Sequence, residues 1–322
     1  MGARRYFFKK TMYALLTLLF VLSFNFVMFR VLPSDPIANL TRSQKLTRDD
    51  VAELRHSLGL DQPLPQQFVT YVKETFSLNL GRSILSGRSV WGEIKAALPA
   101  TIALLSLGTL FATLLGIWVG IKGGWKRGST FDTSSLFTSQ VFWSMSEAWL
   151  GMVLIVVFGS ILGWFPTGQW QTPGDATQIQ RLADWGNHLF LPVLTLTLGY
   201  FGEYAIIMRS SLIEVKNDDF VLTARAKGVP DREVRKKHAV PNAFLPTFTL
   251  IFLSFGFVLG GAILIEVVFS WPGIGQLEFE AINNLDYPMI QGIFLLSSAA
   301  VIFFNLVADL LYSYMDPRIR ES

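Results

Sequence analysis

Apolar residues gather along this chain into six runs of roughly 20 or more, the length an α-helix needs to cross a hydrocarbon layer of about 30 Å. They cover 11–32, 97–121, 134–162, 189–213, 243–269 and 288–314. The pattern predicts an all-α integral membrane fold with six transmembrane helices. The first run follows Arg4, Arg5, Lys9 and Lys10 in the manner of a secretory signal. It is longer than the usual apolar stretch of about 7–15 residues and no small-residue cleavage site follows, so it reads as a retained helix.

Basic residues near span ends stay on the cytoplasmic side, which sets the orientation. With the N-terminus inside, the cytoplasmic segments hold four Lys/Arg in the first ten residues, three at 122–127, eight from Arg209 to Lys237, and Arg318 with Arg320. The short outside segments hold Arg181 at 163–188 and none at 270–287. Both termini are therefore expected in the cytoplasm. Arg30, near the outer end of the first run, can snorkel to the interface. The expected division is a cytoplasmic tail at 1–10, a first helix at 11–32, an external helical segment at 33–96, a five-helix core at 97–314 that carries a cytoplasmic loop at 214–242, and a second tail at 315–322.

The 33–96 segment differs from the rest. It opens on Pro33 and Asp35-Pro36, then offers a helix start at Thr47–Asp50 followed by Val51, Leu54 and Leu58 at helical spacing. Gly59–Pro63 breaks that pattern, and Phe68, Val69 and Val72 predict a second short amphipathic helix.

Composition agrees with lipid as the solvent: of 322 residues 51% are hydrophobic and 16% charged, where soluble domains carry about 25% charged residues. Zero cysteines exclude disulfides, thiolate metal sites and a cysteine nucleophile. His56, His188 and His238 are too scattered to predict a metal cluster. A formal charge of +3 matters less in such a chain than where the charges lie.

The longest cytoplasmic stretch carries the most information. It contains Thr223-Ala224-Arg225-Ala226-Lys227-Gly228-Val229, then Val240-Pro241-Asn242-Ala243 and Pro246. Physically this is a small-residue helix, a glycine stop, a charged helix and a proline re-entry. Ala224 and Ala226 allow close approach of another protein, Gly228 can take the positive φ that ends a helix, and Pro241 marks a break before the next span. Charge alone equally describes an ordinary basic loop at a membrane surface.

This stretch resembles the coupling-loop motif of binding-protein-dependent ABC importer permeases, in the form typical of dipeptide and oligopeptide permeases. Asp219-Phe220-Val221-Leu222-Thr223-Ala224-Arg225-Ala226-Lys227-Gly228 precedes His238-Ala239-Val240-Pro241-Asn242-Ala243 at the family's spacing, with Phe220 where Tyr is usual. Further likenesses run in order through the chain: Leu32–Pro36, Leu58–Leu64, Leu80–Ser83, Leu98–Thr101, Glu266–Gly275, Asp286–Pro288, Asn305–Asp309 and Asp316–Arg320. Together they are similar to the B-type subunit, the first of the two permeases in peptide importers.

The resemblance implies a type I ABC importer permease-like fold in a bacterial or archaeal cytoplasmic membrane. It implies a non-catalytic transport subunit that moves di- or oligopeptides by alternating access. It also implies a second homologous permease, two ATP-binding subunits that use ATP and Mg, and an extracytoplasmic solute-binding protein, with no cofactor held by this chain. Thr223, Ala224, Arg225, Ala226, Lys227, Gly228, Pro241 and Asn242 would form the ATPase-coupling loop, bounded as a rigid piece by Gly228 and Pro241. The same machine importing a nickel complex, glycoside or opine is the alternative, and a membrane receptor or assembly protein is a more distant one. The sequence itself has no Gly-x-x-x-x-Gly-Lys-Ser/Thr phosphate cradle and no Gly-x-Ser-x-Gly elbow.

Four carboxylates fall in or near the apolar runs, where an unpaired charge is costly. Glu266 and Asp309 read as structural anchors, and Glu203 either pairs with a basic residue or lines the pathway. Ser144-Met145-Ser146-Glu147-Ala148 stands where the family commonly has Ser-Ile-Pro-x-Phe. Losing that proline is expected to remove a kink. Glu147 is then a candidate for the translocation pathway, favouring a cationic group on the substrate.

Overall fold

The computed structural model describes residues 3–31, 62–172, 177–258 and 262–315. Among the described residues twelve α-helices follow in order: α1 Ala3–Phe26, α2 Leu64–Phe76, α3 Val90–Trp125, α4 Thr130–Ser144, α5 Glu147–Leu154, α6 Gln178–Val215, α7 Asp219–Ala226, α8 Asp231–Glu233, α9 Val240–Val258, α10 Ile263–Val268, α11 Ile274–Asn283 and α12 Tyr287–Met315. Three π-helical segments, Val27–Val31, Ile155–Ile161 and Val234–Ala239, continue α1, α5 and α8. Among the described residues the one strand-like feature is an isolated bridge between Arg82 and Ser89.

Four helices among the described residues are long and apolar enough to cross a membrane, and the bent pair α4 and α5 counts as a fifth. Helix α9, with 19 residues, is about 28 Å long and occupies the place of the fifth apolar run. The external segment supplies α2 as expected. The start at Thr47 with Val51, Leu54 and Leu58, and the last tail beyond residue 315, lie outside the described residues.

Several boundaries differ from the apolar runs, each for a local reason. Helix α1 starts at Ala3, so most of the first ten residues are helical. Helix α3 starts at Val90 rather than 97, because the Ser89 hydroxyl accepts from the Gly92 backbone N–H and caps it. Helix α6 starts at Gln178, where Thr177 and Gln180 form a reciprocal capping box. The run at 134–162 is two helices bent by 100°. Met145 and Ser146 are extended there, with ψ of 141° and 130°, so the corner persists without proline and the expected loss of a kink is overturned.

The spine of the fold is α3 against α6. Gly108, Ala112, Gly116, Gly120 and Gly124 recur every fourth residue and line one face of α3. A Cβ at Gly116 would lie 2.5 Å from the Tyr204 Cβ and 2.7 Å from the Phe201 carbonyl, and one at Gly120 would lie 2.7 Å from the Ala205 carbonyl. In lipid, burial from water does not drive helices together, so this backbone proximity and its dispersion contacts hold the pair. The other face of α3 turns Leu110, Phe111, Leu114 and Trp118 outward.

At the external end, α10 and α11 fold back onto the start of α3. Glu266 is fully buried. Its Oε1 accepts from the Thr101 hydroxyl at 2.9 Å and its Oε2 from the Gln276 N–H at 3.1 Å, in the first turn of α11. The Trp271 indole N–H donates to the Ala100 carbonyl at 2.9 Å. Helix α11 thus begins on a carboxylate, the charge its N-terminus favours. Asp309 pairs with Lys10 at 2.8 Å and ties α12 to α1. Both residues are the structural anchors anticipated from sequence.

Replacing Gly116 by Leu is expected to cost about 1–3 kcal/mol through overpacking and to lower the apparent Tm of the purified protein in detergent. An unchanged Tm would contradict the close approach of α3 and α6.

Candidate functional site

The loop that carries the sequence motif is assembled on the inner ends of α3, α6 and α9. Helix α6 ends at Val215, and after a short turn α7 starts behind Asp218. Val221 and Ala224, three residues apart on one face of α7, are buried with Trp125, Met208, Leu212, Val234, Ala239 and Ala243. Phe220 and Leu222 stay exposed at 42% and 50%, joined by Thr223, Ala226 and Lys227. Of the two alanines expected to admit a partner, only Ala226 faces outward. Ala224 packs the loop's own core.

The end of α7 is a full left-handed cap. Gly228 has φ +76°, its N–H donates to the Arg225 carbonyl at 2.9 Å, and the Val229 N–H donates to the Ala224 carbonyl at 3.2 Å. Val229 then packs on the cluster that holds Ala224. These are the two bonds and the apolar contact of a Schellman ending. Nothing lies within 4 Å of a Cβ built on Gly228, so backbone conformation rather than crowding selects glycine here.

Beyond the cap, Pro230 precedes α8, and the chain runs helically through Val234–Ala239 into α9 without interruption. Pro241 therefore sits inside a continuous helical run and does not break it. The wider π-helical turn just before it lets the ring in, as π adjustments do at prolines in membrane helices. The Asn242 side-chain amide donates to the His238 carbonyl at 2.7 Å. Arg225 reaches Asp231 across the turn at 3.5 Å. Lys237 lies 2.8 Å from Glu233 one turn away and holds that carboxyl below its ordinary pKa.

Glu147 is the first residue of α5, immediately after the 100° corner. It is half-buried, and its side chain lies against Gly199 and close to Tyr200. Glu203 is half-buried nearly one turn further along α6 and also acts on Tyr200. The structure thus brings the two pathway candidates to one side of α6. Arg209, the basic residue nearest Glu203 in sequence, turns to Asp132 instead, with bonds of 2.6 and 2.9 Å. Asp132 also accepts from the Gly128 N–H at 2.9 Å. Among the described residues neither Glu147 nor Glu203 forms an ion pair.

Sequence reasoning missed Trp125 and Asp132. Trp125 stands just before Lys126-Arg127-Gly128, a run that reads as a basic turn, and its only signal was an aromatic residue at the end of an apolar run.

Two family models match the chain. The binding-protein-dependent transport system inner membrane component covers residues 112–321, and the N-terminal part of the same membrane component covers residues 3–105. A di/tripeptide transport system permease protein of Pseudomonas aeruginosa is 36% identical over 312 residues, covering 92% of this chain and 93% of the relative. A dipeptide transport system permease protein of Alkalihalophilus pseudofirmus is 36% identical with the same coverage. A glutathione transport system permease protein of Salmonella typhi is 36% identical over 315 residues, covering 98% of each chain. A membrane-embedded bundle with a packed basic loop at one end and matches along nearly its whole length leave one assignment: the chain belongs to the inner membrane components of binding-protein-dependent transport systems.

Proposed function

We propose that this chain is one permease subunit of an ATP-driven importer that carries short peptides across the inner membrane. The names of the peptide and glutathione permeases it matches along more than nine-tenths of its length support the cargo. The observation that carries the mechanism is the loop itself, an outward face on an inwardly packed helix. Phe220, Leu222, Thr223, Ala226 and Lys227 meet an ATP-binding subunit, while Val221 and Ala224 hold the helix to α3, α6 and α9.

In this reading the chain works with a second homologous permease, two ATP-binding subunits that use ATP and Mg, and an external solute-binding protein. Closure of the ATP-binding subunits displaces the loop, and the bundle changes from one access state to the other. An equilibrium moves only as far as the differential binding energy reaches it. The loop must therefore transmit displacement without flexing, and the cap at Gly228 serves that need. On the cargo side, Glu147 and Glu203 line the pathway and attract the ammonium group of a peptide as it passes the corner between α4 and α5.

Cells lacking this chain and complemented with it are expected to recover uptake of labelled di- and tripeptides. Recovery of nickel or oligosaccharide uptake alone would retain the machine and replace the cargo, and recovery of nothing would overturn the importer. Gly228→Val puts a β-branched residue at a positive φ, which costs about 1–2 kcal/mol or more, whereas Gly228→Asn fits. Several-fold loss of uptake in the valine variant at normal membrane levels, with near-normal uptake in the asparagine variant, is expected. Equal uptake by both would separate the cap from coupling. Glu147→Gln is expected to slow uptake of lysine-containing peptides more than of neutral ones, and equal slowing would remove Glu147 from cargo recognition.

A further inference from the structure

Trp125 ends α3 with its side chain nearly buried, at 6% exposure. Three cations converge on its indole ring: the Lys216 ammonium at 5.4 Å from the centroid, the Arg225 guanidinium at 5.5 Å and the Arg235 guanidinium at 6.0 Å. Each comes from a different piece of the loop. Lys216 follows α6, Arg225 lies on α7, and Arg235 lies in the π-helical turn that leads into α9. The Trp125 indole N–H donates to Asp231 Oδ2 at 2.8 Å, and the Trp125 carbonyl accepts from Lys216 Nζ at 2.8 Å. Asp231 Oδ1 in turn faces Arg225 at 3.5 Å.

Three like charges would spread the loop apart. The negative face of the indole and the one carboxylate that Trp125 itself orients draw them together instead. Without that hub, α7 would be held to the bundle by Val221 and Ala224 alone, between a short turn before it and the Gly228–Pro230 bend after it. Helix α3 cannot yield independently, because its glycine face meets α6 at backbone distance.

We infer that Trp125 is the positioning residue that locks the 216–239 loop to α3, so that a displacement of α7 is delivered to the membrane bundle instead of being absorbed in the loop. The inference rests on the reading of α7 as the surface that meets the ATP-binding subunit. It adds the strut behind that surface.

The absence of cysteine from the chain allows a direct test that needs no cargo. Ala226→Cys on α7 and Leu114→Cys on the outward face of α3 would carry spin labels in the full chain in lipid nanodiscs, and the width of their distance distribution would be measured. Trp125→Leu is expected to broaden it about twofold. Trp125→Phe, which retains the ring and loses the N–H, is expected to give an intermediate width. Leu212→Ala, which opens a cavity in the same cluster but leaves Trp125 and its charged partners in place, is the matched control. An unchanged width in Trp125→Leu, or equal broadening in Leu212→Ala, would overturn the strut. In the reconstituted transporter, ATP hydrolysed per peptide imported is expected to rise about threefold or more in Trp125→Leu. A broadened loop together with a wild-type ratio would also overturn the inference, whereas a wild-type transporter that imports no peptide would overturn the cargo and leave the distance result standing.

Discussion

The two longest helices among the described residues touch because one of them offers almost no side-chain bulk along the line of contact. Every fourth residue of α3 from Gly108 to Gly124 is glycine or alanine, and backbone and side-chain atoms of α6 fill the space that larger side chains would take. Both functional ends depend on that alignment. Outside, Ala100 and Thr101 on α3 receive Trp271, Ile274 and Glu266 from the returning α10–α11 turn. Inside, Trp125 on α3 and Arg209 on α6 receive the loop and α4. A small rotation between α3 and α6 would misplace all of these groups together.

The ionisable residues in the bundle fall into two kinds, and the difference is chemical. Buried Asp132, with Arg209 and the Gly128 N–H, and buried Glu266, with Thr101 and a helix N-terminus, have partners on both oxygens, and the half-exposed Asp309 pairs with Lys10. Buried polar groups in a bilayer need such partners, so these are structural. Glu147 and Glu203 stand apart, half-exposed beside Tyr200 and without an ion pair among the described residues. A sequence shows that a carboxylate lies in an apolar run. Only the fold shows which carboxylates have already been neutralised.

Much of the architecture could be read directly from the residues. Runs of about 20 apolar side chains report a span because lipid demands them, and the stop at Gly228 was readable because few other residues accept φ +76°. The features that escaped depend on one or two backbone torsions or on distant partners. Met145 and Ser146 turn the chain by 100° without altering the apolar content of the run around them. Pro241 signals a break in isolation, yet the π-helical turn before it absorbs the ring. Arg209 lies near Glu203 in the chain and pairs with Asp132, 77 residues away. Trp125 gave no sign of its role because its partners lie up to 110 positions further along and arrive from three directions.

The bond between Lys10 and Asp309 joins residues 299 positions apart, and Asn25 of α1, fully buried, donates to the Gln291 carbonyl of the same last helix. These two polar contacts of α1 therefore form only once α12 is made. At about 5–20 residues per second, the 299 residues between Lys10 and Asp309 amount to a delay of about 15–60 s. During that interval α1 sits in the membrane with an amide and an ammonium unmatched by α12. The growing chain thus has a built-in interval in which α1 and α12 are not yet joined, and the bundle closes between these two helices last.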